Sequence, residues 1–120
     1  MLVQGSNLPI LITFEEDDPS TFQDLSVIVY PRGSTSSSAI LSWGINDVEI
    51  DGNEVLCPID QEDLMPPNYT ITEDTNISIE IKWLGEDDNV YNVAIVHDYI
   101  AYRKDTTVLG DSEESEGGDS

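Results

Sequence analysis

Ile77-Ser78-Ile79-Glu80-Ile81-Lys82-Trp83 decides the reading of this chain. Apolar and polar residues alternate without a break over residues 77–83. In an extended segment that pattern puts the three isoleucines and Trp83 on one side and Ser78, Glu80 and Lys82 on the other. A helix would spread the same apolar residues around its circumference. β-Branched isoleucine also suits a pleated, half-buried surface.

The same period of two extends outward in both directions. Gly85-Glu86-Asp87-Asp88-Asn89 reads as a hairpin loop, and a long strand follows from Val90 to Tyr102. Tyr91, Val93, Ile95, His97 and Tyr99 share one face of it, while Ala94, Val96, Ile100 and Tyr102 share the other. Apolar residues on both faces imply a central strand buried on two sides, a bulge that swaps the faces, or a contact between subunits. Upstream, Leu8, Ile10, Ile12 and Phe14 alternate, as do Leu25, Val27 and Val29, and Ala39–Trp43 is a short apolar run. Val48–Leu56 reads as two short strands around Asp51-Gly52, since Asp-Gly supplies the positive φ that a tight hairpin needs.

Turn chemistry separates these segments. Glu15–Ser20 is acidic and contains Pro19, and Pro31–Ser38 is rich in Pro, Gly and Ser. Asp60-Gln61-Glu62-Asp63-Leu64 has the capping signature of a single helical turn, stopped by Pro66-Pro67. No stretch sustains a 3.6-residue period and no internal repeat is visible. The expected fold is all-β: an antiparallel sandwich, or a barrel, of about seven strands over residues 1–109. Gly110–Ser120 has no apolar residue and five acids, and is expected to be a flexible acidic tail.

Twenty-five acidic residues stand against four basic ones, a formal net charge of −21. Arg32, Lys82, Arg103 and Lys104 cannot be assembled into a basic stripe, which argues against nucleic acid and anionic membranes as partners. Cys57 is the sole cysteine, so no internal disulfide forms, and folding in a reducing cytoplasm is expected. The apolar patch Leu8–Phe14 lacks a basic flank and is too short to span a bilayer. The sequons at Asn68 and Asn76 read as coincidence in a chain without a secretion signal.

Candidate chemistry is sparse. His97 and Cys57 form the one conceivable nucleophile–base pair, but neither sits in an activating motif, so no catalytic residues are assigned. Carboxylates are too abundant for any pair to be informative. One Cys and one His fall short of a zinc site. Calcium finds candidate oxygen ligands in Glu86, Asp87, Asp88 and Asn89, and in Glu15–Asp18, though neither loop follows the spaced EF-hand pattern. Tyr30, Trp43, Tyr69, Trp83, Tyr91, Tyr99 and Tyr102 would offer a sugar-stacking platform if exposed, but packing is the default at strand positions.

Gln4-Gly5, Pro9-Ile10, the hairpin at Asp51-Gly52-Asn53, Pro58–Asp63, Ile79–Leu84 with Asn89-Val90-Tyr91, and the closing Arg103–Leu109 occur in an order that resembles small proteins of phages and prophages of gut Firmicutes. Those are similar to the N-terminal domain of phage baseplate upper proteins. The resemblance covers residues 1–109 and leaves the acidic tail outside it. It implies an immunoglobulin-like sandwich without catalytic residues or cofactor. It further implies a structural or accessory role in the virion, at the tail, baseplate or head. The protein would be made in the host bacterial cytoplasm, with other virion proteins and further copies of itself as partners. Tyr91, Val93, Ile95, Tyr99 and Tyr102 are the expected interface residues. The rival reading is a carbohydrate- or receptor-binding module, assisted by calcium.

Overall fold

A computed structural model describes residues 1–66 and 68–103. Lys104 and the expected acidic tail, residues 110–120, lie outside the described residues. The described residues are all-β, with eight strands in two sheets. The strands are β1 (Leu2–Val3), β2 (Ile10–Thr13), β3 (Asp24–Pro31), β4 (Leu41–Gly44), β5 (Glu49–Asp51), β6 (Glu54–Cys57), β7 (Thr75–Leu84) and β8 (Asn92–Ala101). The larger sheet has the order β1-β8-β7-β3-β4 and the smaller one β2-β6-β5. Every pairing is antiparallel except β1 with β8, which is parallel and joins Leu2 to Ile100 and Val3 to Ala101.

β7 is the spine of the large sheet. Its register with β3 runs from Asp24↔Leu84 to Pro31↔Ile77, which aligns Leu25, Val27 and Val29 with Trp83, Ile81 and Ile79. The expected apolar face of residues 77–83 thus becomes one wall of the core. Ile10, Ile12, Ile50, Val55 and Cys57 of the small sheet form or pack against the opposite wall. Phe14 and Phe22 close one end, meeting Trp83 with ring centroids 5.1 and 6.3 Å away. Such aromatic contacts add to area burial alone.

Local chemistry fixes the connections. Asp51 pairs with Glu54, so the tight turn is Gly52-Asn53, one residue later than Asp-Gly would place it. Gly52, at φ 60°, supplies the left-handed conformation there. Asp18 caps the 3-10 turn Pro19–Thr21, its carboxylate accepting from the Ser20 amide. At residues 60–65 the expected helical turn is replaced by consecutive hydrogen-bonded turns, with the Asp63 carboxylate accepting from the Asp60 amide. That is half a capping box without the helix. Leu64 and Met65 from this segment are buried.

Gln4 is buried and uses its whole amide group. Its Nε2 donates to the Leu64 carbonyl at 3.0 Å, and its Oε1 accepts from the Arg103 amide at 3.0 Å. The Gln4 backbone amide donates to the Ala101 carbonyl. One side chain therefore ties the N-terminal segment, the 60s turn and the end of β8 together, satisfying each polar group it buries.

Candidate docking surface

β8 is neither central nor bulged. Its register with β7 is unbroken from Thr75↔Ile100 to Trp83↔Asn92. β7 holds one edge along its full length, whereas β1 covers only Ile100 and Ala101 on the other. Among the described residues no strand pairs with the outer edge of Asn92–Tyr99. Apolar residues on both faces here signal a strand that projects past its covering sheet, instead of one buried on two sides.

The register assigns the faces. Ala94, Val96 and Ile100 lie on the core side with Ile81, Ile79 and Thr75. Only Ile100 is fully buried, while Val96 remains 49% exposed because the small sheet does not reach it. Val93, Ile95, His97 and Tyr99 lie on the outer side with Lys82, Glu80, Ser78 and Asn76. Val93 and Ile95 are each 53% exposed, and Tyr91 and Tyr99 are exposed beside them. Tyr102, past the end of the strand, is exposed too, and its amide donates to Asp74.

The hydrogen bonds at the end of the strand reveal which way its backbone points. Ala101 accepts from Gln4 on the outer edge, Tyr102 donates to Asp74 on the β7 side, and Arg103 donates to Gln4 again on the outer edge. Backbone groups alternate along a strand. Val93, Ile95 and His97 therefore direct their N–H and C=O groups to the open edge, while Tyr99 points the same way where β1 begins.

Charge near this surface is balanced, in contrast to the chain as a whole. Asp24, Glu80 and Asp98 are matched there by Lys82, Arg32 and the N-terminal ammonium, which meets Asp98 at 2.9 Å. The Lys82 ammonium lies 5.7 Å from the Tyr91 ring centroid, and Arg32 donates to the Asp98 carbonyl at 3.1 Å. The Tyr91 hydroxyl donates to Asp24, which holds its pKa above the usual tyrosine value. Acids cluster at its loop end, in Glu86, Asp87 and Asp88, and on other parts of the molecule. Glu49, Asp51 and Glu54 share the outer face of the small sheet, and Glu15–Asp18 are exposed in the loop beyond β2.

The other candidates separate. His97 is exposed on the outer face of the large sheet, its Nδ1 3.2 Å from Ser78 Oγ. Cys57 is fully buried in the small sheet, where burial pushes its thiol up to about 12, the opposite of an activated nucleophile. The 86–89 loop engages two of its carbonyls and the Asp88 carboxylate internally. Gln23 Nε2 sits within 2.7–3.1 Å of the Gly85, Glu86 and Asp88 carbonyls, where a cation would compete with it. The Asp88 carboxylate accepts from the Gly85 amide and the Asn92 side chain. Among the described residues no group of three acids, histidines or cysteines converges as a metal site. Of the aromatic set, Tyr30 and Trp43 are buried and Tyr69 and Trp83 partly so, leaving Tyr91, Tyr99 and Tyr102.

A recess of about 210 Å³ lies beside Leu2, Leu8, Ile10, Ile59 and Leu64. It falls below the ~300–1,000 Å³ typical of small-molecule sites. A wider depression of about 370 Å³ over Asn7, Pro58 and Glu62 is shallow and open. No described helix is long and apolar enough to cross a membrane.

Sequence reasoning missed the exposure of Val96 and the clasp formed by Leu2, Val3 and Gln4. A two-residue strand leaves no periodicity to detect. Comparison with protein-family models, curated proteins and solved structures finds no match to this chain.

Proposed function

We propose that this chain is a non-catalytic docking protein, a structural or accessory component of a bacteriophage particle at the tail, baseplate or head. In this reading it is made in the host cytoplasm and built into the virion by contacts with neighbouring virion proteins. The observation that carries the docking role is β8, whose outer edge over residues 92–98 pairs with no strand among the described residues and bears exposed Val93, Ile95 and Val96. A sheet edge gives a partner main-chain hydrogen bonds, and the side chains beside it give specificity. The two-sheet body is compatible with an immunoglobulin-like sandwich, and the order of motifs in residues 1–109 supports the phage assignment.

Particles purified from a producing host test both parts. The protein is expected to co-sediment with them, and Val93→Asp with Ile95→Asp is expected to reduce incorporation at least tenfold while leaving the fold intact. Absence from purified particles overturns the virion assignment. Undiminished incorporation of the double variant overturns the role of β8.

Exposed Tyr91, Tyr99 and Tyr102 favour a second reading, a glycan- or receptor-binding face. It requires binding on a glycan panel that is lost on Tyr99→Ala. A calcium titration without a thermal shift removes the metal-assisted form.

A further inference from the structure

We infer that the occupant of the β8 edge is a second copy of this chain, paired antiparallel about a two-fold axis through Ile95. This deepens the docking role proposed above and names its partner.

Three observations converge. First, among the described residues β8 is the one long edge left undefended. Of the other edges, β4 is four residues long, β5 carries Glu49 and Asp51 within three residues, and β2 is four residues long and preceded by Pro9. Short length, charge and proline are the usual ways to discourage edge pairing. β8 has ten residues, an unbroken ladder, no proline and a single carboxylate, Asp98.

Second, charge selects the surface. A chain of net charge −21 repels its own copies through most of its exterior. The β8 surface, where Asp24, Glu80 and Asp98 meet Lys82, Arg32 and the N-terminal ammonium, is where copies approach with least penalty. A basic partner would be drawn instead to the acidic face of Glu49, Asp51 and Glu54.

Third, the register is self-complementary. Two copies that keep their outer faces on the same side must pair residues of equal parity. β1 blocks the edge from Ile100 onward, and Met1 ahead of it contacts the side chains of Asp98 and Tyr99. A centre at Val96 would set Asn92 against Ile100 of the second copy and collide with β1. A centre at Ile95 sets Ile95 against itself, Val93 against His97, Ala94 against Val96 and Asn92 against Asp98. No like charges face each other, and Asn92 arrives beside Met1, whose ammonium already holds the Asp98 carboxylate at 2.9 Å. The outward-directed backbone groups of Val93, Ile95 and His97 then bond across the axis, and the two large sheets become one. Such an interface is isologous and closes at two copies.

Sedimentation of the full chain over a range of micromolar concentrations tests this. The apparent mass is expected to double, and more readily at high salt, which screens the repulsion between copies. Ile95→Lys, at a half-exposed position, is expected to weaken the dimer at least tenfold, while Leu11→Lys on the small sheet leaves it unchanged. Ile95→Cys is expected to form a disulfide-linked dimer under mild oxidation, because opposed residues of a hydrogen-bonded pair sit about 5.5 Å apart. Leu11→Cys is not expected to cross-link, and buried Cys57 does not compete.

A monomer at all concentrations overturns the inference, as does a dimer that Ile95→Cys fails to trap. A monomer in which deletion of residues 104–120 unmasks the Ile95 amide to exchange assigns the edge to the chain's own C-terminal segment, and overturns it too. In each of these cases particle incorporation of the β8 double variant still decides the docking role separately.

Discussion

β7 and β8 are twins in length and neighbours in register, yet one is the core and the other is surface. Ile77, Ile79 and Ile81 of β7 are at most 5% exposed, whereas Val93, Ile95 and Val96 of β8 lie near one half. The difference is one of position. β7 lies between β3 and β8 with the small sheet over its inner face, whereas among the described residues most of β8 has a neighbour on one edge and no second layer. Similar apolar side chains thus do opposite jobs, one set removed from water and the other left in it. Contiguous exposed apolar surface on a soluble domain points to binding.

The sharpest break of that comparison is a matched pair of truncations. Ile79→Ala removes buried methyl groups from the centre of the core and is expected to lower the unfolding free energy by about 2–5 kcal/mol. Ile95→Ala, read by chemical denaturation at high dilution, is expected to stay within about 0.5 kcal/mol of the parent. Equal losses would mean that β8 is covered after all.

A smaller effect is expected at the point where β8 stops being an edge. Gln4→Ala strands the Leu64 carbonyl and the Arg103 amide, two groups that its side chain now satisfies. The expected cost is about 1–3 kcal/mol by urea titration. If the loss is confined to the clasp, hydrogen exchange should quicken at Val3 and Arg103 before it does at Ile79.

The gentlest test alters no residue. At high dilution the amides of Val93, Ile95 and His97 face the open edge and should exchange at least about tenfold faster than those of Ala94, Val96 and Asp98, which face β7. β7 should show no such alternation, because both of its edges are bonded. Uniform protection along β8 at high dilution would contradict the edge assignment.

Much of this architecture was legible beforehand. Residues 77–83 announce a one-faced strand, and β3 and the Gly52 hairpin follow from the same alternation and from turn chemistry. Leu64 and Met65 were not legible as core, because polar Asp60–Asp63 dominate the local pattern and only tertiary packing turns the next two side chains inward. The site was half legible. Its residues stand out as apolar on both faces, but whether such a strand is sandwiched or projecting depends on how far another sheet extends, which no local pattern records. The resemblance to phage proteins rests on motif order alone.

The parallel course of β1 has a practical consequence for handling the protein. Leu2 lies opposite Ile100, so any residues fused ahead of Met1 are launched back along Tyr99 toward Asn92. An amino-terminal affinity handle would thus be laid over the surface under study, and its cleavage scar could mimic or block a natural ligand.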